Sequence, residues 1–349
     1  MSGGRRAAAH EATAAVLSRL DDREVVDLLA TAVPLGEGIG GTAAVVDVGG
    51  TPVFVKRVPV TAREARPENA GSTANLFGLP AFCHYGVGDV GSPGFGVWRE
   101  VAVHAMTTEW VLAGEYDGFP LTYHWRVLAH PGLPLSGELA DIDHAVDHWG
   151  GGPGVRDRIE GLRDARASVA LFLEHVPHTL HDWLRAQVAA GERAAERACA
   201  MVERELLAGT SFLDARGVLH FDAHFQNILT DGERLYFADF GLALSSGFAV
   251  DGAEAAFRAG HRGYDRCYAL TQLVVWLVVE LFGLRGDELG AFLRACARGE
   301  PPAGVPGWVR PILLRHAPVA AVMTDFFRRF RAESRQTPYP AERLAGLLG

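Results

Sequence analysis

The residues best suited to chemistry lie in one short segment, His220–Asn227, with the sequence HFDAHFQN. Asp222 is spaced to approach the hydroxyl group of a substrate and accept its proton, and Asn227 can reach a metal ion. His224 stands between them and, if protonated, could assist a transferred anionic group. An ordinary polar loop is the alternative. The order and spacing favour group transfer to a hydroxyl, with Asp222 as the base.

A second carboxylate follows an apolar, strand-like segment. Asp239 lies in Phe237-Ala238-Asp239-Phe240-Gly241, seventeen residues after Asp222. An apolar strand that delivers an aspartate into a glycine turn presents its carboxylate well to Mg²⁺. The residues between leave room for one hairpin, which Asp231-Gly232 marks. We therefore predict that Asp239 and Asn227 are the metal ligands.

Two features in the first sixty residues are suited to holding phosphates. Gly36, Gly38 and Gly41 form a GxGxxG pattern between strand-like segments, where glycines let backbone amides close over a phosphate without interference from a Cβ atom. A β-branched run follows instead of the helix that a dinucleotide-binding motif needs. Lys56 ends the strand-like run Val53-Phe54-Val55 and could contact nucleotide phosphates. The alternative is a strand lysine that serves solubility.

These four features, in this order, resemble the protein-kinase superfamily over about residues 35–285. The resemblance implies a two-lobed α+β fold, with a small antiparallel sheet and one helix in the N-lobe and a mainly helical C-lobe. It implies that ATP and Mg²⁺ bind between the lobes. In that arrangement the three glycines cover the phosphates, and Lys56 positions the α and β phosphates.

The resemblance also implies an acidic partner for Lys56 on the N-lobe helix. Glu100 is our preferred candidate because it opens a predicted helix that a strand follows. Three other glutamates remain alternatives: Glu64, Glu68 and Glu109.

Two more roles follow from the resemblance alone. The segment Leu171–Val176 is similar to the hinge that joins the lobes, so backbone groups of Glu174 and Val176 would bind adenine. Asp265 precedes an apolar helix and is similar to the acid that anchors the catalytic loop from within the C-lobe.

Several positions depart from the pattern of serine/threonine kinases. His224 stands where lysine is usual, and histidine there is typical of the aminoglycoside and choline kinase branch. Phe221 replaces an arginine that commonly pairs with a phosphorylated loop, which argues against such regulation. The segment after Gly241 is short and lacks an A-P-E triplet. In contrast, the glycine pattern and the DFG triplet are more similar to eukaryotic-type protein kinases.

Three functions therefore stay open. The first is an ATP-dependent serine/threonine protein kinase of narrow substrate range. The second is a kinase that phosphorylates the hydroxyl group of a small molecule. The third, a nucleotide-binding module without catalysis, is disfavoured because Lys56, Asp222, Asn227 and Asp239 are all present.

The surrounding pattern predicts the elements that hold these residues. We expect an N-terminal helical extension over 1–34, an N-lobe over 35–176 with an insertion near 131–165, and a helical C-lobe over 177–349. Gly49-Gly50 between two valine-rich runs predicts a hairpin.

Composition limits the partners and the compartment. The chain has 349 residues and a net charge of −9, and a general nucleic-acid binder would usually be basic. The most apolar stretch, Leu273–Val279, is too short to span a bilayer and predicts a buried helix. No apolar signal segment follows Arg5-Arg6. The four cysteines are far apart in sequence, which favours reduced thiols in a cytoplasmic protein. From the charge and the short apolar stretch, we expect neither a nucleic-acid partner nor a membrane.

Overall fold

The computed structural model describes residues 3–38, 40–88, 90–130, 132 and 135–348. The chain forms two compact units. The first comprises Met1–Val176 and Asp239–Glu254, and the second comprises Pro177–Ala238 and Ala255–Gly349.

The first unit contains a five-stranded antiparallel sheet with strand order β1-β2-β3-β5-β4. The strands are β1 (Val33–Gly38), β2 (Gly41–Val48), β3 (Thr51–Val60), β4 (Thr122–Ala129) and β5 (Ala167–Glu174). The predicted hairpin at Gly49-Gly50 is confirmed. Both glycines have positive φ angles, +62° and +88°, which residues with a Cβ adopt only at a steric cost.

Six helices accompany this sheet in the described residues: α1 (Gly3–Arg19), α2 (Asp22–Ala30), α3 (Val97–Leu112), α4 (Gly137–Ala140), α5 (Ile142–His148) and α6 (Pro153–Arg163). Helix α3 packs on the sheet because its first turns present apolar side chains to it. Val97, Trp98 and Val101 form one buried cluster with valines and leucines of β3 and β5. This packing fixes the start of α3, where Glu100 lies.

The second unit is mainly helical. Its helices are α7 (Leu180–Ala189), α8 (Glu192–Ala215), α9 (Gly252–Gly260), α10 (Tyr264–Phe282), α11 (Gly286–Ala297), α12 (Arg310–Ala332) and α13 (Ala341–Leu348), of which α9 begins in the first unit. Its strands are β6 (His178–Thr179), β7 (Val218–Leu219), β8 (Ile228–Thr230) and β9 (Leu235–Phe237), and β10 (Leu244–Ser245) belongs to the first unit. The hairpin of β8 and β9 is the one that Asp231-Gly232 predicted.

The α+β class and the small antiparallel sheet agree with the sequence prediction, but one local prediction was wrong. Lys56 does not end its strand: β3 continues to Val60 because residues 57–60 also pair with β5. The segment predicted as an insertion, 131–165, contains α4, α5 and α6, and α6 buries Val155 and Ile159. Residues 131, 133 and 134 of that segment lie outside the described residues.

The apolar stretch Leu273–Val279 forms part of α10, and Leu273, Val274 and Leu277 are fully buried. Among the described residues, no single helix combines the length and apolar composition needed to cross a membrane. The bent pair of α10 and α11, at 114°, meets that criterion only as a pair. All four cysteines are buried and free.

Candidate functional site

Lys56 is the centre of a buried ion cluster in the first unit. Its Nζ atom donates to Glu100 Oε1 at 2.7 Å and to Asp239 Oδ1 at 2.8 Å. The Lys56 and Glu100 residues are 8% and 2% exposed, so water screens the pair poorly. The fold thus brings together three predicted site residues from β3, from α3 and from the segment after β9.

One ammonium group shared by two carboxylates leaves this cluster with excess negative charge. Burial by itself lowers the pKa of Lys56, but Asp239 and Glu100 more than reverse that effect, so the pKa lies well above its ordinary value. Burial raises the pKa of Glu100, and Asp239 adds to this rise against the opposing effect of Lys56. Lys56 is therefore a fixed cation at neutral pH.

Backbone geometry aims the Asp239 side chain. Asp239 has a φ of +61°, in the left-handed region that a non-glycine residue adopts only at some cost. Its Oδ1 atom accepts a hydrogen bond from the Gly241 N–H at 3.3 Å. The Asp-Phe-Gly turn thus holds the carboxylate toward Lys56, and the strain is of the kind that clusters at functional sites.

The alternative partners of Lys56 lie elsewhere. Glu64 is buried, but it accepts from the N–H of Val97 at 2.9 Å and pairs with Arg158 at 2.7 Å, so it caps the start of α3. Glu68 and Glu109 are exposed. Of the four glutamates considered from the sequence, Glu100 is the one that the structure pairs with Lys56.

The predicted glycine loop lies at the turn from β1 to β2. A Cβ on Gly41 would lie 1.9 Å from the backbone oxygen of Arg57, so the close approach to β3 requires glycine there. Gly36 and Gly38 have open space around them. Sequence reasoning missed Gly40, where a Cβ would lie 2.9 Å from Lys56 Nζ. The sequence signal for a close approach at this point was a second glycine directly before Gly41.

A second signal in the composition also went unused. Lys56 is the only lysine of the chain, against 32 arginines. Apart from this lysine, the positively charged side chains that could keep the protein in solution are arginines. The one lysine is instead buried in the ion cluster, which weighs against the solubility interpretation of Lys56.

In the second unit, Asp265 fixes the start of the predicted catalytic segment. Its carboxylate accepts from the backbone N–H groups of His220 at 2.7 Å and Phe221 at 2.9 Å. The His220 ring is fully buried, and its Nε2 lies 3.0 Å from the Ala238 carbonyl oxygen. Burial raises the pKa of Asp265 to about 7, although both N–H donors oppose the rise. His220 is thus a packed residue of the scaffold.

The predicted base and metal ligand of this unit contact each other. Asn227 Nδ2 donates to the Asp222 carboxylate at 3.0 Å and to its carbonyl oxygen at 3.1 Å. Both bonds are donated by the amide nitrogen of Asn227. His224 Nε2 lies 3.7 Å from Asp222 Oδ1, close enough for an ion pair when the imidazole is protonated. A carboxylate, an amide oxygen and an imidazole therefore share this loop.

Phe221 takes part in an aromatic cluster. Its backbone φ is +64°, and its ring lies within 5.7 Å of the rings of Phe257, His261 and Tyr264. An arginine at this position would face aromatic rings, so the structure gives Phe221 a packing role.

In the predicted hinge, two groups of Glu174 are engaged within the first unit. Glu174 ends β5, its N–H donates to the Leu121 carbonyl oxygen at 2.7 Å, and its carboxylate accepts from Arg6 at 2.6 and 3.0 Å. These bonds involve the N–H and the carboxylate of Glu174, and the part of the prediction that concerns backbone carbonyl groups stays a prediction. Val176 follows two residues later and ends the first unit. Arg6, whose guanidinium is buried, is a residue that sequence reasoning missed because no local pattern marks it.

Magnesium prefers carboxylate and amide oxygens, so Asp239 and Asn227 are suitable in type. Among the described residues, no group of three or more His, Cys, Asp or Glu side chains could hold a metal ion. An ion bound by either side chain would need additional oxygens, such as those of phosphates. A scan against models of protein families and a search of the curated proteins both gave no match to this chain.

Proposed function

We propose that this protein is an ATP-dependent phosphotransferase with a two-lobed, protein-kinase-like fold. The observation that carries the proposal is the ion cluster of Lys56, in which the only lysine of the chain is buried between two carboxylates. Such a cluster places a fixed cation beside a carboxylate that can bind Mg²⁺. Both are required where nucleotide phosphates bind.

The first unit would supply the nucleotide-binding groups. Lys56 would contact the α and β phosphates of ATP, and Glu100 would hold the ammonium group in place. The backbone of Gly36, Gly38 and Gly41 would cover the phosphates. Mg²⁺ bound with ATP would neutralise phosphate charge and bring Asp239 and Asn227 into use as its protein ligands.

The second unit would supply the acceptor chemistry. Asp222 would orient the acceptor hydroxyl and take its proton as the oxygen attacks the γ-phosphorus; ADP is then the leaving group. Asn227 holds the Asp222 carboxylate by a 3.0 Å hydrogen bond, which favours one orientation of the base. Protonated His224 would stabilise charge on the transferred phosphoryl group.

For the acceptor we propose a serine or threonine hydroxyl of a narrow range of proteins. The glycine pattern and the DFG triplet favour this choice. The second candidate is the hydroxyl of a small molecule, and His224 beside Asp222 favours it. The four buried, free cysteines support a location in the reducing cytoplasm for either reaction.

The experiment is incubation with ATP labelled in the γ-phosphate, alone, with generic peptide pools and with a panel of small alcohols. We expect transfer to the protein itself or to few peptides, and loss of transfer in Asp222→Asn. Transfer to a small alcohol with no labelling of proteins would promote the second candidate. Labelling of many unrelated peptides would contradict the narrow range. Absence of transfer in every arm, with no binding of Mg-ATP, would contradict the proposal as a whole.

A further inference from the structure

Arg99, the neighbour of Glu100 in α3, makes a second buried ion pair in the first unit. Its Nη1 and Nη2 atoms donate to the two carboxylate oxygens of Glu254 at 2.8 and 3.0 Å. Its Nε atom donates to the Thr73 carbonyl oxygen at 2.8 Å. The side chains of Arg99 and Glu254 are 1% and 3% exposed. The guanidinium of Arg99 thus makes two parallel hydrogen bonds to one carboxylate, an arrangement that lysine cannot reproduce.

Glu254 is equally well fixed. It lies in the first turn of α9, and its N–H donates to Asp251 Oδ1 at 2.8 Å. His84 Nε2 lies 3.6 Å from its carboxylate, while His84 Nδ1 lies 2.8 Å from the Leu242 carbonyl oxygen. The His84 ring stacks on Phe95 with centroids 3.8 Å apart. Glu254 is thus the end point of a network that includes the residues just after the Asp-Phe-Gly turn.

The whole segment from Asp239 to Glu254 is attached to α3 at both ends. At one end, Asp239 shares the ammonium of Lys56 with Glu100. At the other end, Glu254 holds Arg99. Between them, the Ala249 N–H donates to Thr73 Oγ1 at 2.9 Å, and Thr73 also accepts from Arg99. A displacement of this segment would therefore pull on the helix turn that carries Glu100.

We propose that Arg99 and Glu254 are positioning residues that keep the cluster of Lys56, Glu100 and Asp239 assembled without covalent modification of the chain. The buried guanidinium of Arg99 requires a negative charge, and the side chain of Glu254 supplies it without any modification of the chain. Loss of that charge releases the 239–254 segment and lets α3 move Glu100 away from Lys56. That the assembled cluster serves phosphoryl transfer rests on the proposed function. That the Arg99–Glu254 pair keeps Lys56 in the cluster does not.

The only lysine of the chain is the reporter for the test. The only amines that a small amine-acetylating ester can modify are those of Lys56 and the N-terminus, and mass spectrometry of arginine-cleaved peptides separates the two. The N-terminal amine serves as the internal standard for reagent activity. No nucleotide is present, so the result is independent of whether the protein transfers phosphate.

The variants are Glu254→Gln and the neutral double variant Arg99→Gln/Glu254→Gln, which leaves no unpaired buried charge and so guards against misfolding of the single variant. Asp157→Asn is the matched control, because it breaks the exposed Arg63–Asp157 pair of the same unit, at 3.2 Å. All variants are compared under conditions in which the circular dichroism spectrum is that of the folded chain. Intact mass establishes that the wild-type chain carries no phosphate.

We expect slow acetylation of Lys56 in the unphosphorylated wild type and in Asp157→Asn. In both pair variants we expect acetylation about tenfold faster or more, because the cluster would open locally at a lower free-energy cost than global unfolding. Wild-type rates in the folded pair variants would overturn the proposal and leave Arg99 and Glu254 as stability residues only. Fast labelling of the unphosphorylated wild type would overturn it too. If labelling behaves as expected but no substrate accepts phosphate, the positioning proposal stands and the phosphotransferase proposal fails.

Discussion

At the scale of single residues, Asp222 is the group on which transfer should depend most. Asp222→Asn keeps the side-chain shape and a hydrogen bond to Asn227 but removes the proton acceptor. We expect the rate of phosphoryl transfer to fall by a factor on the order of 10²–10⁴, with the affinity for Mg-ATP nearly unchanged. Asp182→Asn, at an exposed helix N-terminus of the same unit, is the control. Full turnover of Asp222→Asn would assign the base to another group.

Gly40 gives a residue-scale test that needs no substrate. A methyl group there would lie 2.9 Å from Lys56 Nζ, so Gly40→Ala must push the ammonium away from its carboxylates or shift the loop. We expect faster acetylation of Lys56 in Gly40→Ala. Gly38→Ala, which adds a methyl group in open space, should label at the wild-type rate. Equal rates for the two variants would show that the loop does not lie against Lys56.

The Glu254 carboxylate should make stability depend on pH in the acid range. Burial by itself raises the pKa of Glu254, but the hydrogen bonds and charges of His84 and Arg99 lower it to about 2. Because the pKa in the unfolded chain is the ordinary 4.5, the contribution is complete above that value and is lost as the pH falls toward 2.

Urea denaturation between pH 5 and pH 2 measures this loss. The wild type should lose about 3 kcal/mol more of its unfolding free energy over that range than Glu254→Gln. His84 adds to acid sensitivity at higher pH, since burial lowers its pKa and it must gain a proton on unfolding. Parallel pH profiles for the two proteins would contradict the assignment.

At the scale of elements, α1 is tied to the end of β5 by one buried side chain. Arg6 donates to both carboxylate oxygens of Glu174 and to the carbonyl oxygens of Asp117 and Phe119. In Arg6→Met, the buried Glu174 side chain would lose this partner. We expect the unfolding free energy to drop by about 3–5 kcal/mol.

The neighbouring exposed arginine provides the control for this prediction. Arg5→Met changes the same charge one residue earlier on α1 and should alter the unfolding free energy by less than about 0.5 kcal/mol. Denaturant titration of both variants decides the matter. Equal, small effects would mean that α1 does not stabilise the end of β5.

These elements also show how far the sequence could predict the structure. Local patterns were sufficient for the hairpin at Gly49-Gly50 and for the helix that carries Glu100, because turn chemistry and helical spacing act over a few residues. They could not predict that β3 continues past Lys56, which depends on pairing with a strand more than a hundred residues later. Arg6 was unpredictable for the same reason, since its partner Glu174 is 168 residues away.

In the candidate site, the limit of sequence reasoning was again long-range contact. The choice of Glu100 for Lys56 followed from the order of elements, whereas the pairing of Arg99 with Glu254 joins positions 155 residues apart. The sequence could not predict the hydrogen bonds of Glu174 either, because their partners Leu121 and Arg6 come from distant segments. The single lysine was visible in the composition and was overlooked.

At the scale of the whole molecule, the two units carry complementary groups. The first holds the ion cluster of Lys56, and the second holds the loop with Asp222, His224 and Asn227. Under the proposed function, neither set suffices for transfer. Because Mg-ATP would bind the folded chain and not the unfolded one, it should stabilise the chain by about 2.7 kcal/mol at a ligand concentration one hundred times its dissociation constant.

The most direct measurement of the central claim is calorimetric titration of Mg-ATP into the wild-type protein and into Lys56→Met, because it requires no knowledge of the acceptor. The account predicts saturable, magnesium-dependent binding to the wild type. For Lys56→Met, measured under conditions in which circular dichroism shows a folded chain, it predicts binding weaker by about tenfold or more, because a charge-assisted contact to phosphate is lost. No binding to the wild type, or equal affinity in both proteins, would contradict the account.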